Sequence, residues 1–323
     1  MNLRSMILVT TAVFTSFSGV VVAENSQTEE EIITVVGTRT ERSLDEVATS
    51  ISVISAIDIE EQLYRDIADL VKYEPGVSVG GTGSRFGLSG FIIRGMGGNR
   101  VQTLVDGVRS PDEFSFGPFL SSRRDFVDID SVETVEISKG SGSSLYGSDA
   151  LGGVVSFTTK GPSRYVSSDE PFYAGVKYGY SGEDNSSNGT LTLAGGNDRI
   201  SGLVSYTYRD AEETETNGTV AGTGSTREEA DPAEIESNNV SLKVDISPWE
   251  DHTLQIGYDL FEHENQSWIL SDWGSVVYGT SIKSRDAFDE RERDKLSFDY
   301  LYSGEFLFLD SVHVKFYQQE SES

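Results

Sequence analysis

From Phe172 onward the residues change character at every second position. Phe172, Ala174, Val176, Tyr178 and Tyr180 alternate with Tyr173, Gly175, Lys177, Gly179 and Ser181, and the same rule governs 200–208, 240–246, 254–260, 296–302 and 312–316. A period of two means strands with one apolar and one polar face. Two architectures use such strands. A soluble antiparallel sandwich buries the apolar face, whereas a transmembrane barrel turns it to lipid and keeps the polar face in the lumen. Alternation alone does not separate them, but the joins favour the barrel. Tight turns at 195–198 and 247–251 interleave with long, polar joins at 210–236 and 265–290. Outer-membrane barrels have short turns on one side and long loops on the other, and a sandwich gives no reason for that order.

The start of the chain is consistent with export. Arg4 precedes an apolar run at 7–22, and Val21-Val22-Ala23 supplies small residues before polar Glu24, so residues 1–23 are expected to be a signal peptide. No later run approaches the roughly 20 apolar residues of a membrane helix. The chain has no cysteine, which excludes disulfide scaffolds, thiolate metal sites and cysteine nucleophiles. Its formal net charge of -28 opposes binding to phosphate backbones, so no nucleic-acid partner is expected. Long solvated acidic loops account for that charge most simply.

Between the leader and the alternating half lies a mixed segment. Ile51 to Ile54 reads as a strand. Asp58 reads as a helix cap, with Glu61 three residues on, and Ile59, Leu63, Ile67, Leu70 and Val71 fall on one helical face that Glu74-Pro75-Gly76 ends. Phe91 to Ile93, Val101 to Val105, Val132 to Ser138 and Val154 to Thr159 read as strands, and Asp106-Gly107 as a tight hairpin turn. The glycine-rich stretch at 139–147 lacks the Gly-Lys-Ser/Thr ending of a phosphate loop. Gly140, Gly147 and the following Gly153 are read as structural turn positions instead.

The order of these motifs resembles the plug domain of TonB-dependent outer-membrane receptors. The resemblance rests on Phe91-Ile92-Ile93-Arg94-Gly95, Asn99-Arg100-Val101, Leu104-Val105-Asp106-Gly107-Val108-Arg109, the run at 129–137, Lys139-Gly140 and the run at 145–155. Within that family, Gly98-Asn99-Arg100-Val101, the stretch at 122–130 and the stretch at 146–157 are most similar to the haemoglobin, transferrin and lactoferrin receptor branch, which includes many haem receptors. The resemblance implies an α+β plug domain at 45–161, followed by an antiparallel transmembrane β-barrel from 172 to 323. About seven strands can be counted, and plugged barrels close with about 22, so the barrel is expected to be incomplete. A linker at 24–44 would carry a TonB box at 31–37. There Glu31, Ile32, Ile33, Thr34, Val35 and Val36 form a β-prone segment suited to adding as a strand to a partner's sheet edge. The implied partners are TonB with its inner-membrane energising proteins, a haem or iron protein, and outer-membrane lipid.

Arg94 with Glu133 or Glu136 is expected to make plug–barrel ion pairs, the alternative for each being a solvated surface charge. Asp106 and Gly107 are expected to be structural, with ligand contact from the plug apex as the second reading. Of His252, His263 and His313, only His263 would lie toward the external end of its strand, which makes it the positional candidate for a haem ligand. No catalytic constellation is present and no covalently held cofactor is implied, so the chain is expected not to be an enzyme. Haem or an iron chelate would be cargo. Import of a ferric siderophore or cobalamin on the same scaffold, a signal-transducing receptor, and a passive porin or adhesin remain alternatives.

Overall fold

The structure, a computed structural model, describes residues 50–81, 87–116, 120–122, 126–304 and 311–323. The expected signal peptide and the segment at 31–37 lie outside them. All described residues fall within one compact unit, Ile33–Ser323.

The first strand, β1 (Ile51–Ser55), runs into helix α1 (Ala56–Glu61). Its cap is Ser55, three residues earlier than the sequence suggests. The Ser55 hydroxyl accepts from the Asp58 amide at 3.2 Å, and the Asp58 carboxylate accepts from the Ser55 amide at 2.8 Å. Asp58 is therefore the third residue of a capping box. The single expected helix is also two. Leu63 has φ 54 and is exposed, and a second short helix, α2 (Ile67–Leu70), starts afresh at Asp66, whose carboxylate accepts from the Ala68 and Asp69 amides. A second cap so close behind the first resets the backbone to extended geometry. Ile59, Ile67, Leu70 and Val71 still enter the core; Leu63 does not.

A hairpin of β2 (Val77–Gly80) and β3 (Gly90–Ile93) follows, then β4 (Val101–Val105), β5 (Val108–Arg109), and a small hairpin of β6 (Phe114–Phe116) and β7 (Leu120–Ser122). Strand β8 (Val132–Ser138), helix α3 (Ser143–Tyr146) and β9 (Gly153–Thr159) complete this first layer. The sheet order is β1-β8-β9-β4-β5, with β4 parallel to β9 and the other neighbours antiparallel. Val135, Ile137, Val155 and Phe157 of this sheet and Ile93 of the β2–β3 hairpin are fully buried in one core. The expected β4–β5 turn forms: Asp106 and Gly107 both have positive φ, and Val105 pairs with Val108. Gly153 is required by close approach, because a Cβ there would sit 2.4 Å from the Ser138 carbonyl oxygen.

The second layer is a sheet of seven antiparallel strands in chain order. They are β10 (Phe172–Ser181), β11 (Ser186–Asn197), β12 (Ile200–Glu212), β13 (Ala233–Trp249), β14 (His252–Trp268), β17 (Asp286–Tyr302) and β18 (Val312–Glu322). The two-residue strands β15 (Val276–Val277) and β16 (Thr280–Ser281) form a hairpin inside the join between β14 and β17. The long strands reach further than the alternation of apolar residues suggests. They run into the expected loops and leave joins at 213–232 and 269–285, because pairing continues where both faces have turned polar.

The register shows which face is which. One cross-strand row reads Ala174, Leu193, Val204, Leu242, Tyr258, Leu296; the next reads Phe172, Gly195, Gly202, Val244, Ile256, Phe298, Phe316. These apolar side chains are on the exposed face. The polar face is the buried one: Thr190, Ser205, Thr207, Asn239, Ser241, Lys243, Asp259 and Lys295 lie against the first layer. A soluble sandwich buries the opposite face. This inside-out arrangement decides between the two architectures that alternation left open. Along β14 the apolar rows run from Leu254 to Leu260, about 20 Å at roughly 3.4 Å per residue. That approaches the apolar band of about 25 Å in outer-membrane barrels, and tyrosines 178, 180, 206, 208, 300 and 302 flank it like the interfacial girdles of such barrels.

Candidate functional site

The chemistry of the molecule is concentrated where the polar wall meets the plug. The β4–β5 turn places Asp106 against three wall strands. Lys295 of β17 donates to Asp106 Oδ2 at 2.9 Å, and Lys243 of β13 lies 3.6 Å from Oδ1 while donating to the Thr159 carbonyl at 2.9 Å. Lys315 of β18 donates to the Asp106 carbonyl and pairs with Asp299 at 3.0 Å. Within the plug, the Thr159 amide donates to Oδ1 at 2.8 Å. Burial alone would raise the Asp106 carboxyl pKa, but Lys243, Lys295 and the Thr159 amide outweigh it and hold the group well below the usual carboxylate range.

A second contact forms just before β8. Asp128 caps a 3-10 turn at Ile129–Ser131, which turns the Asp130 side chain toward β10, β11 and β12. Arg209 of β12 spans both acids: its Nη2 donates to Asp128 Oδ1 at 2.8 Å and also to Asp130. Lys177 of β10 pairs with Asp130, and Asn188 of β11 donates to it at 3.0 Å. Burial opposes charge on Asp130, yet Arg209 and Lys177 hold its carboxyl below the ordinary value. Further contacts link the layers at their margins. Arg65 donates to Ser181 and, at 2.8 Å, to Glu183, and Gln319 donates to the Arg109 carbonyl at 3.2 Å. The rings of Phe126 and Phe261 meet edge-on at 6.2 Å.

The polarity is consistent. At both clusters the plug supplies carboxylates and the wall supplies cations. The expected pairs were assigned to other residues. Glu133 pairs with Arg164, in the turn that follows β9, and not with a wall strand. Glu136 lies buried in the middle of the plug sheet, in register with Val53 and Ser156. Arg94 is exposed with φ 49, makes no ion pair among the described residues, and bonds through its amide to the Gly76 carbonyl. Asp106, expected as a structural turn residue with ligand contact as the second reading, is also the centre of the first cluster. Its pairing has no local cue: the partners Lys243, Lys295 and Lys315 lie 137 to 209 residues further along the chain. Gly140 and Gly147 both take positive φ, Gly147 as the cap of α3. His263 lies on the inward face of β14, opposite Arg291. Among the described residues no group of three or more His, Cys, Asp or Glu side chains is placed to hold a metal ion, and no helix is long and apolar enough to cross a membrane.

A mixed sheet held by ion pairs against the polar face of an inside-out antiparallel sheet is the architecture of a plugged outer-membrane barrel, of which these seven strands form an unclosed part. Residues 43–154 match the TonB-dependent receptor plug domain, and the chain belongs to the TonB-dependent receptors. The family is one of outer-membrane receptors and transporters, not enzymes. The chain is 34% identical over 286 residues to hemoglobin-binding protein A of Haemophilus influenzae, covering 83% of this chain and 28% of that one. It is 32% identical over 315 residues to hemoglobin and hemoglobin-haptoglobin-binding protein B of the same organism, covering 90% and 29%. The chain thus spans under a third of the length of these relatives. Among solved structures, the FrpB iron transporter of Neisseria meningitidis superposes with a TM-score of 0.69 at 20% identity, over 84% of this chain and 41% of that one. The ferric enterobactin receptor of Pseudomonas aeruginosa does so with a TM-score of 0.59 at 19% identity, over 84% and 41%. At those identities the solved structures speak for the fold alone.

Proposed function

We propose that the complete protein imports haem, taken from haemoglobin or another haem protein, across the outer membrane under force from TonB. The observation that carries this reading is the identity above 30% with haemoglobin-binding proteins across both the plug and the seven strands. The geometry supports it. A lumen occupied by a plug passes nothing while the plug stays in place, and ion pairs between carboxylates of the plug and cations of the wall are contacts that displacement can break and restore. In this reading the tight turns and the plug's entry side face the periplasm, and the joins at 213–232 and 269–285 face outward. The segment at 31–37 pairs by strand addition with TonB, which supplies the energy that the outer membrane lacks.

The test is growth on haemoglobin or haem as sole iron source. Cells with the intact gene are expected to grow. A deletion of residues 31–37 is expected to abolish growth while leaving haemoglobin bound at the surface. Growth that survives the deletion would mean a passive pore. Loss of growth on a ferric siderophore, with haem use unchanged, would favour the siderophore reading, which the same scaffold accommodates.

A further inference from the structure

The wall carries a third group of residues that neither plug contact uses. On the inward faces of β14 and β17, Phe261 is in register with Arg293 and His263 with Arg291. The rings of Phe261 and His263 lie nearly parallel, with centroids 6.5 Å apart and planes 4° apart. Arg291 and Arg293 are alternate residues of one strand, so their Cα atoms are about 7 Å apart on the same face. Arg293 is 2% exposed and pairs with Asp259, yet its Nε and Nη1 are buried without a hydrogen-bond partner among the described residues. Buried guanidinium nitrogens without acceptors are costly and uncommon. An aromatic ring of the plug, Phe126, stands edge-on to Phe261 and is itself buried.

We infer that this patch is a transit site for a planar aromatic ligand bearing two carboxylates, and that Phe126 keeps its place while the plug is seated. The inference rests on the haem reading above and gives the wall a part in it. The two guanidinium groups suit a pair of carboxylates, since each presents a planar fork of donors. The Phe261 ring offers an apolar contact for a macrocycle edge or face. The His263 imidazole can lend a nitrogen lone pair to an open axial position of the metal and recover it as the cargo moves on. No electron is transferred, and no bond other than this coordinate one forms or breaks. When the plug shifts, Phe126 leaves, and a surface that is aromatic, cationic and histidine-bearing faces the lumen.

The experiment uses the full-length receptor in its own outer membrane, with haem as the probe, and measures the initial rate of haem entry and the capture of haemoglobin at the surface separately. R291Q/R293Q is expected to lower haem entry at least tenfold, with surface capture within twofold of the parent. R291K/R293K, which keeps both charges, is expected to recover most of the rate. D259N, which removes the wall partner of Arg293 and leaves the guanidinium in place, is expected to import at the parental rate or faster. Heat-modified migration on gels and exclusion of a large antibiotic report that each barrel is closed and plugged. Unchanged entry in R291Q/R293Q overturns the inference. So does a loss in D259N as large as in R291Q/R293Q, because Arg293 would then serve only to pair Asp259. If the parent receptor admits no haem at all, the haem reading falls and this inference with it. A haem-importing parent with indifferent variants sinks the inference alone.

Discussion

Asp106 shows how much one side chain can hold at a buried junction. Its carboxylate faces Lys243 and Lys295, and its carbonyl takes Lys315, so three wall strands meet at a two-residue turn. Asp106→Asn keeps the turn and its size but leaves two buried lysines without their counter-ion. Breaking a buried pair from one side typically costs about 3–5 kcal/mol, and a lower Tm of the detergent-solubilised receptor is expected. The acid response follows from the same charges. The folded-state pKa of Asp106 is depressed, so its stabilising contribution is complete above the unfolded value of about 4 and disappears as the pH falls through the lowered folded value. Melting followed from pH 7 to pH 3 should show the parent losing ground only at the acid end. The D106N variant should start lower and lack that part of the slope; a parallel displaced curve would contradict the assignment.

At the scale of elements, the Asp128–Asp130 turn and strand β12 act as a pair. R209D gathers three carboxylates where a cation stood and is expected to destabilise the receptor more than D130N does. Adding D130R restores opposite charges across the contact. Tm values for the four-member cycle should then show a favourable coupling of about 0.5–3 kcal/mol; strict additivity would mean that the two side chains do not meet. These elements also mark where sequence reasoning reached its limit. Strands β4, β8 and β9 and the Asp106-Gly107 turn were legible because each depends on its own residues. The split between α1 and α2 was half legible. Ser55 and Asp66 are both good caps, but the apolar period through Leu63 argued for continuity, and only tertiary packing chose. The ion pairs were not legible. Asp130 and Arg209, or Asp106 and Lys295, are joined by the wrapping of the wall around the plug, and no local pattern records that wrapping. Arg94 and Glu133 looked equally suitable until the sheet placed one in a strained turn and the other beside Arg164.

For the whole molecule, the outer surface divides into two zones. Below are the apolar rows. Above them, glutamates stand in line across the strands: Glu236 opposite Glu264 opposite Glu290, and Glu262 opposite Glu292 opposite Glu322. Like charges directly opposed weaken a sheet, so this zone belongs in water and the bilayer ends beneath it. Leu242→Arg, on the outward face of β13, should hinder insertion of the full-length protein into lipid vesicles by about 2–4 kcal/mol if it lies near the midplane. Glu264→Arg, on the outward face of β14, should be tolerated. Equal effects at the two positions would mean that the bilayer does not end between them.

The plug sheet has two unlike margins. At one, β1 has a single neighbour among the described residues, β8, and leads back toward the start of the chain; at the other, β5 and its turn are fastened to the wall. A tug arriving ahead of Ile51 therefore reaches the free hem of a cloth whose far edge is nailed down. The easiest response is for β1 alone to peel away; the load then runs along the chain through α1, α2 and the β2–β3 hairpin to β4, beside the nailed edge, so the ion pairs at the β4–β5 turn are the next thing to resist it.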